Sequence, residues 1–256
     1  MPENDGTYSR AEMPFVAPCQ RLRPLAAIGW LRAGIRDWRL APRQSLFYGV
    51  VMAAIMALVS MLALVFGSVW LMIAMLGGFV FLAPLACVGL YAISAQLERG
   101  QPPQIRRSLR AAFRRHLGNE LVFAIILLVV FLVWARAGEL VTYLSVGSAV
   151  GAFFAAVTFA VSAYSLPMIV HRDVDTVTAV VTSVNAVLRN KLALSIWLLL
   201  VVGGVLVGVA TAFIGLVFIL PLIGYAAWHG YLETIDASAF PRHRVGVAAE
   251  PRPPAT

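Results

Sequence analysis

Charged residues are scarce in this chain of 256 residues: only 12% are charged, whereas 61% are hydrophobic. A soluble domain carries about 25% charged residues, because its surface has to interact with water. The deficit excludes an ordinary cytosolic enzyme, a disordered protein and a nucleic-acid-binding domain, so we expect no nucleic acid among its partners. The composition predicts an all-α protein that crosses a membrane several times.

Cysteine is equally scarce, since the chain contains only Cys19 and Cys87. These two positions form neither a zinc-binding spacing nor a disulfide framework. The sequence also lacks a nucleophile motif, a phosphate-binding loop and a metal-protease signature. We therefore predict a protein that is not an enzyme, with no catalytic residue, no metal and no cofactor.

Long apolar runs are abundant, and six of them approach or exceed the roughly 20 residues that a helix needs to span a bilayer. They cover residues 46–66, 69–95, 120–138, 146–170, 192–211 and 214–235. The short links after the first and fifth runs force antiparallel neighbours, so a membrane domain of three helical hairpins is predicted over 45–236. A segment at 1–44 precedes it, and the Pro, Arg and Ala content of 237–256 predicts a disordered tail.

The basic residues are distributed very unevenly about these runs. Nineteen of the twenty lie on one side of the predicted arrangement, and only Arg136 lies on the other. Basic residues collect on the cytoplasmic side of membrane proteins. The asymmetry predicts a multi-pass protein of the bacterial inner membrane with both termini in the cytoplasm.

Each predicted hairpin follows a short segment with the pattern apolar-x-Ala-x-apolar-Arg, at residues 31–36, 109–114 and 184–189. The second run of each hairpin also contains a proline in a similar local sequence, and these prolines are candidate helix breaks: Pro84, Pro167 and Pro221. The repeated order of amphipathic segment, hairpin and proline predicts a threefold internal repeat.

The first amphipathic segment, at 24–41, has Ile28, Leu31, Ile35 and Trp38 at helical spacing, with arginines around them. Such a helix lies in the membrane interface with its arginines on lipid phosphates, or it packs on its own bundle, and both alternatives stay open. Anionic lipids are therefore candidate partners. The candidate lipid contacts are Arg32, Arg36, Arg39, Arg106, Arg107, Arg110 and Arg114.

A polar cluster follows the fourth and sixth runs, and it consists of His171, Arg172, Asp173, Asp175, His229 and Glu233. Imidazoles and carboxylates are possible metal ligands, provided that these two runs are neighbours. A structural role is the simpler interpretation, because Asp175 stands where it would cap the helix that follows. We therefore predict that the cluster is structural.

Two GxxxG motifs, Gly147 with Gly151 and Gly204 with Gly208, favour close helix packing. In a six-span protein this packing joins helices of one chain more often than two copies, although a homo-oligomer stays open. Arg136 and Glu139, three residues apart, are predicted to form an interfacial ion pair.

Several short motifs together resemble a bacterial membrane-protein family, the domain of unknown function 2189. They are Trp30-Leu31-x2-Gly34-x2-Asp37, Pro42-x2-Ser45-x2-Tyr48-Gly49, Leu166-Pro167-Met168, Arg172-Asp173-x-Asp175, Ser183, Asn190, and Pro221 through Trp228-His229. The resemblance runs from about Arg23 to about Asp236. It implies the fold and no activity. The link between the third and fourth runs is shorter than in the family, which argues against a functional periplasmic loop.

Three functions stay open at this point. The first is a non-enzymatic membrane component that binds lipid or a protein partner. The second is a permease or channel for a small or lipid-like solute, and the third is a membrane enzyme that uses the His/Asp cluster. Because ionisable residues within the apolar runs are scarce, the sequence favours the first.

Overall fold

The computed structural model describes residues 14–67, 87–104, 122–123, 125–129 and 144–241, with side chains from residue 152 onward in the last range. The regular structure in these ranges is helical, which confirms the predicted all-α class for the described part. Its eight helices are α1 Ala26–Leu40, α2 Pro42–Phe66, α3 Val88–Glu98, α4 Leu144–Ser162, α5 Ser165–His171, α6 Thr176–Arg189, α7 Lys191–Ala210 and α8 Leu216–Thr234.

Four stretches within the described ranges are long and apolar enough to cross a membrane: Pro42–Phe66, Ala152–His171, Lys191–Ala210 and Leu216–Thr234. They correspond to the first, fourth, fifth and sixth predicted runs. Helix α2 begins four residues before the predicted run because Pro42 suits the first turn of a helix, where its missing N–H is not needed. The runs predicted at 69–95 and 120–138 lie mostly outside the described residues.

Helix α8 is the centre of the bundle and contacts α1, α2, α3, α5 and α7. Its contact with α2 is very close at Gly49, where a Cβ atom would overlap the Val217 carbonyl. Pro221 lacks the N–H that would otherwise bond to this carbonyl four residues earlier. Pro221 lies inside α8 without ending it, so the break predicted there is wrong. We attribute the tolerance to neighbouring helices that pack against the freed carbonyl.

Pro167 lies inside α5, and the helix is interrupted a few residues earlier, at Ala163 and Tyr164, between α4 and α5. Ser183 of α6 inserts its hydroxyl there. Its Oγ donates to the Ala160 carbonyl over 2.8 Å and accepts the Tyr164 N–H over 3.1 Å. The serine thus occupies the two groups that would bond to each other in a continuous helix. Pro84 lies outside the described residues.

A single residue joins each described amphipathic helix to the helix after it. Ala41 joins α1 to α2 with φ −127° and ψ 52°, and Asn190 joins α6 to α7 with φ −123° and ψ 41°. Both helices bury the residues 14, 11, 7 and 4 positions before the joint: Ala27, Trp30, Gly34 and Asp37 in α1, and Thr176, Ala179, Ser183 and Ala186 in α6. Helix α6 also buries Thr178 and Thr182.

This structural register differs from the register of the sequence motif. When Ala41 is aligned with Asn190, the motif at 31–36 does not align with the motif at 184–189. The two motifs are offset by four residues, about one helical turn. Pro221 and Pro167 also lie at different positions relative to the amphipathic helix that packs beside each of them. Gly34 lies against the amide of Ala226, which is five residues after Pro221, whereas its counterpart Ser183 bonds to Tyr164, which is three residues before Pro167. The similar local sequences around these two prolines therefore do not mark equivalent positions.

Both ends of the described chain are held at one end of the bundle. The N-terminal segment bonds through Gln20 N to the Thr234 carbonyl and through the Pro18 carbonyl to Asp236 N. On the other side, Phe240 is 3% exposed, and its carbonyl accepts from Arg172 Nη1 over 2.8 Å. The tail predicted to be disordered from 237 is therefore ordered through Pro241, because an aromatic residue among the prolines and alanines packs into the core.

Candidate functional site

Helix α1 has two faces that differ in what they contact. Its buried face consists of Ala27, Trp30, Gly34 and Asp37 and packs on α8. The predicted apolar stripe is not this face, since Ile28 and Ile35 are 41% and 40% exposed. Besides Trp30, the buried residues are small or polar, which allows the backbones of α1 and α8 to approach closely: a Cβ on Gly34 would lie 3.0 Å from the Leu222 carbonyl oxygen.

Asp37 is the polar centre of this contact, and its side chain is 4% exposed. One carboxylate oxygen, Oδ2, accepts the Ser94 hydroxyl of α3 over 2.8 Å and lies 2.8 Å from His229 Nε2 of α8. A carboxylate only accepts, so the imidazole donates at Nε2. The exposed Arg36 approaches the other oxygen at 3.9 Å. Asp37 therefore links α1 to both α3 and α8.

Two further carboxylates lie near this centre. Burial raises the pKa of Glu98 at the end of α3; His229 and the Trp228 indole partly offset this effect, and the Asp37 carboxylate adds to it. Glu233 of α8 accepts the Trp30 indole N–H over 2.6 Å. The result is a polar layer at one end of the bundle, built by residues of α1, α3 and α8, in which Asp37 is buried and the Glu98 and Glu233 residues reach the surface.

The structure divides the predicted polar cluster into separate groups. His229 and Glu233 face α1, as the bonds to Asp37 and Trp30 show. His171 of α5 instead contacts the Trp228 and Tyr231 rings, and its Nδ1 lies 3.0 Å from the Tyr231 hydroxyl. Helices α5 and α8 are therefore neighbours, but their histidines serve different contacts.

The remaining members of the predicted cluster have local roles. Asp175 caps α6, and its Oδ1 accepts the Thr178 N–H over 3.0 Å, as the sequence predicts. Burial opposes ionisation there, but the hydrogen bonds around Thr178 lower the pKa of Asp175 overall. Asp173 is exposed, and Arg172 is buried. Within the described ranges, no group of three His, Cys, Asp or Glu side chains is placed to hold a metal ion.

The candidate lipid contacts in α1 lie opposite its buried face. Arg32 and Arg39 are exposed, and the Arg36 side chain is 67% exposed. Apolar side chains share this face, since Leu25, Ile28 and Ile35 are exposed between the arginines. The candidates Arg106, Arg107, Arg110 and Arg114 lie outside the described residues, as do Arg136 and Glu139.

The glycine motifs differ in what the structure shows of them. Gly204 of α7 lies against Ile219 of α8, and a Cβ on Gly208 would overlap the Leu216 side chain. The second motif thus joins two helices of the same chain. Gly147 and Gly151 lie in α4, where the side chains around them are not described.

Sequence reasoning missed the central residues of this site. Asp37 appeared only within a family motif, and Ser94 and Glu98 did not appear at all. One signal was available: Asp37 is the only acid in an amphipathic segment otherwise rich in arginine. An acid that lies among the small residues of a helix face is a candidate for a buried polar contact.

One family model matches the chain over residues 71–149, and its description is "Predicted integral membrane protein (DUF2189)". This is an integral membrane protein. The match confirms the resemblance inferred from the sequence, although the quoted motifs lie outside the matched range. That range instead contains most of the second predicted run and all of the third. No curated protein and no solved structure matches the chain.

Proposed function

We propose that this protein is a six-span, non-enzymatic component of the bacterial inner membrane that binds anionic lipid through the arginine face of α1. The observation that carries the proposal is the composition of that face. Arg32, Arg36 and Arg39 are exposed beside Leu25, Ile28 and Ile35, and the opposite face is buried. A helix in the membrane interface presents this mixture of apolar and basic side chains to the headgroup region.

The attachment of α1 supports a position near the membrane surface. Only Ala41 separates α1 from the candidate span α2, so the arginines lie within a few turns of its start. Hydrogen bonds from Ser94 and His229 to Asp37 hold the opposite face. A helix held in this way presents its charges without losing much side-chain and backbone freedom on binding.

Helix α6 supports the same interpretation, because it repeats the layout of α1. Four of its six buried positions match those of α1, and Val177 and Leu188 are 56% and 60% exposed on the outside. Arg189 and Lys191 flank the joint at Asn190 and are exposed. Two amphipathic helices that end at similar joints are expected to lie at a similar depth.

The six-span topology rests on the described helices and on the charge distribution together. Four candidate spans lie in the described ranges, and α3 covers the end of the run predicted at 69–95. The family match covers most of that run and all of the run at 120–138. With six spans, nineteen of twenty basic residues lie on one side, which we assign to the cytoplasm together with both termini.

The proposal is tested by lipid retention in native mass spectrometry of the full chain taken from bilayers of phosphatidylglycerol and phosphatidylcholine. The test variant combines Arg32→Gln with Arg39→Gln and leaves Arg36 beside Asp37. The wild type should retain phosphatidylglycerol preferentially. The variant should lose about 1 kcal/mol of this preference per arginine, or roughly fivefold each.

The matched control combines Arg242→Gln with Arg244→Gln, which removes the same charge elsewhere on the proposed cytoplasmic side. It should retain phosphatidylglycerol like the wild type. Equal retention of the two lipids by the wild type, or an equal loss in both double variants, would contradict a lipid site on α1.

A further inference from the structure

A pocket of about 230 Å³ lies apart from α1, where both ends of the described chain meet α5 and α8. Its polar lining consists of Gln20, His171, Arg172, Tyr231, Asp236 and Ser238. The ordered N-terminal segment and the residues after α8 therefore form part of its wall. The volume is below the several hundred Å³ of a typical ligand site, so it suits a small group.

The charges in this pocket have opposite signs. Arg172 is buried, and Nη1 donates to the Phe240 carbonyl over 2.8 Å. Asp236 is exposed, and its Oδ1 accepts the Ser238 N–H over 3.0 Å. Hydrogen bonds from Ser238, together with the positive charge of Arg172, lower the pKa of Asp236, so the carboxylate is ionised at neutral pH.

The pocket lies at the ends of two candidate spans. His171 is the last residue of the stretch Ala152–His171, and Asp236 follows the stretch Leu216–Thr234 by two residues. The ends of membrane spans lie at the level of the lipid headgroups. A pocket at this level is accessible to the phosphate and ammonium groups of lipids and to small solutes from the water.

We propose that this pocket binds an aminoalkyl phosphate, with the phosphate on Arg172 and the ammonium group on Asp236. A guanidinium matches phosphate oxygens through its planar set of donors. The carboxylate selects ligands that carry an ammonium group, because an anion without one meets its negative charge unpaired. The same chemistry is found in a phosphoethanolamine headgroup of a lipid and in free phosphoethanolamine.

The test compares phosphoethanolamine with glycerol phosphate by calorimetry on the detergent-solubilised full chain. Phosphoethanolamine should bind the wild type at least about tenfold more tightly, the factor expected for one charged hydrogen bond. Asp236→Asn should abolish this difference, and it should fold because Asp236 is exposed. Asp173→Asn is the matched control, an exposed acid outside the pocket lining, and should keep the difference.

A second arm identifies the source of the ligand. If native mass spectrometry from mixed bilayers shows a preference in retained phosphatidylethanolamine that is lost in Asp236→Asn but not in Asp173→Asn, whatever phosphatidylglycerol is retained, the ligand is the lipid headgroup. Binding of soluble phosphoethanolamine without this preference supports the free compound. Equal binding of the two soluble phosphates, equal effects of the two variants, or binding in neither arm would overturn the proposal.

Discussion

Asp37 connects three helices through hydrogen bonds to a single carboxylate oxygen. Removing the carboxylate leaves the Ser94 hydroxyl and the His229 N–H without their acceptor in a buried site. An unsatisfied buried donor costs about 1–3 kcal/mol. We expect Asp37→Ala to lower the free energy of unfolding in detergent by at least about 2 kcal/mol.

The coupling between Asp37 and His229 is measured by a double-mutant cycle on the same protein. His229→Ala should cost less stability in the Asp37→Ala background than in the wild type, because its main partner is already gone. Asp173→Ala, the exposed control, should have little effect. Additive costs for Asp37 and His229 would show that the pair does not act as a unit.

Glu98 contributes a pH dependence whose sign follows from its environment. Because burial raises its pKa above the ordinary value of 4.5, the folded protein binds a proton more readily than the unfolded chain. The charged carboxylate therefore destabilises the fold above the folded pKa, and this penalty disappears as the pH falls toward 4.5. Glu98→Gln should raise the midpoint of thermal unfolding more at about pH 7.5 than at about pH 4.5.

The measurement for Glu98 is a comparison of thermal unfolding of the wild type and the variant at both pH values. Asp173→Asn controls for the loss of an acid elsewhere on the surface and should show no such difference. A larger gain from Glu98→Gln at acid pH would mean that the carboxylate is stabilised by its neighbours instead.

At the scale of single elements, the contact between α1 and α8 depends on Gly34. A Cβ there would lie 3.0 Å from the Leu222 carbonyl oxygen and from the Ala226 nitrogen, so the backbones would have to separate. Gly29 of the same helix is the matched control, because nothing lies within 4 Å of its Cβ position. Gly29→Ala should stabilise the protein by about 0.5–1 kcal/mol, since alanine is the better helix former.

Gly34→Ala gains the same helix propensity, yet we expect it to destabilise the protein through the forced separation of α1 and α8. Thermal unfolding of the two variants in one detergent compares them directly. If both variants gained stability, the close approach of α1 to α8 would be excluded.

At the scale of the whole molecule, both described amphipathic helices pack on a helix that closes a predicted hairpin. Helix α1 packs on α8, and α6 packs on α4 and α5. The joints at Ala41 and Asn190 have similar backbone angles. The threefold repeat of hairpins stays a prediction.

The proposed topology predicts the location of reporter domains fused to the full-length or truncated chain. Fusions after Arg115 and after Asp236 should report the cytoplasm, and a fusion at Ser68 should report the periplasm. The uneven distribution of basic residues is the physical reason. A periplasmic signal after Arg115 would contradict the six-span arrangement.

The membrane class, the helical composition and the approximate ends of the described spans could be predicted from the amino-acid sequence. These properties depend on local composition and hydropathy, because every backbone group in a bilayer must be satisfied within a helix. The cap at Asp175 and the end of α3 at Gly100, with φ +65°, were equally local and could be predicted.

Which helix faces are buried and which polar residues meet depends on long-range packing and could not be predicted from local patterns. Asp37 and His229 are 192 residues apart, and no local pattern brings them together. In water, isoleucines would be expected in the buried face of α1, but this helix buries glycine, alanine and aspartate beside Trp30 and exposes Ile28 and Ile35. The reason is that lipid is as apolar as a protein core, so close backbone packing and hydrogen bonds decide which face turns inward.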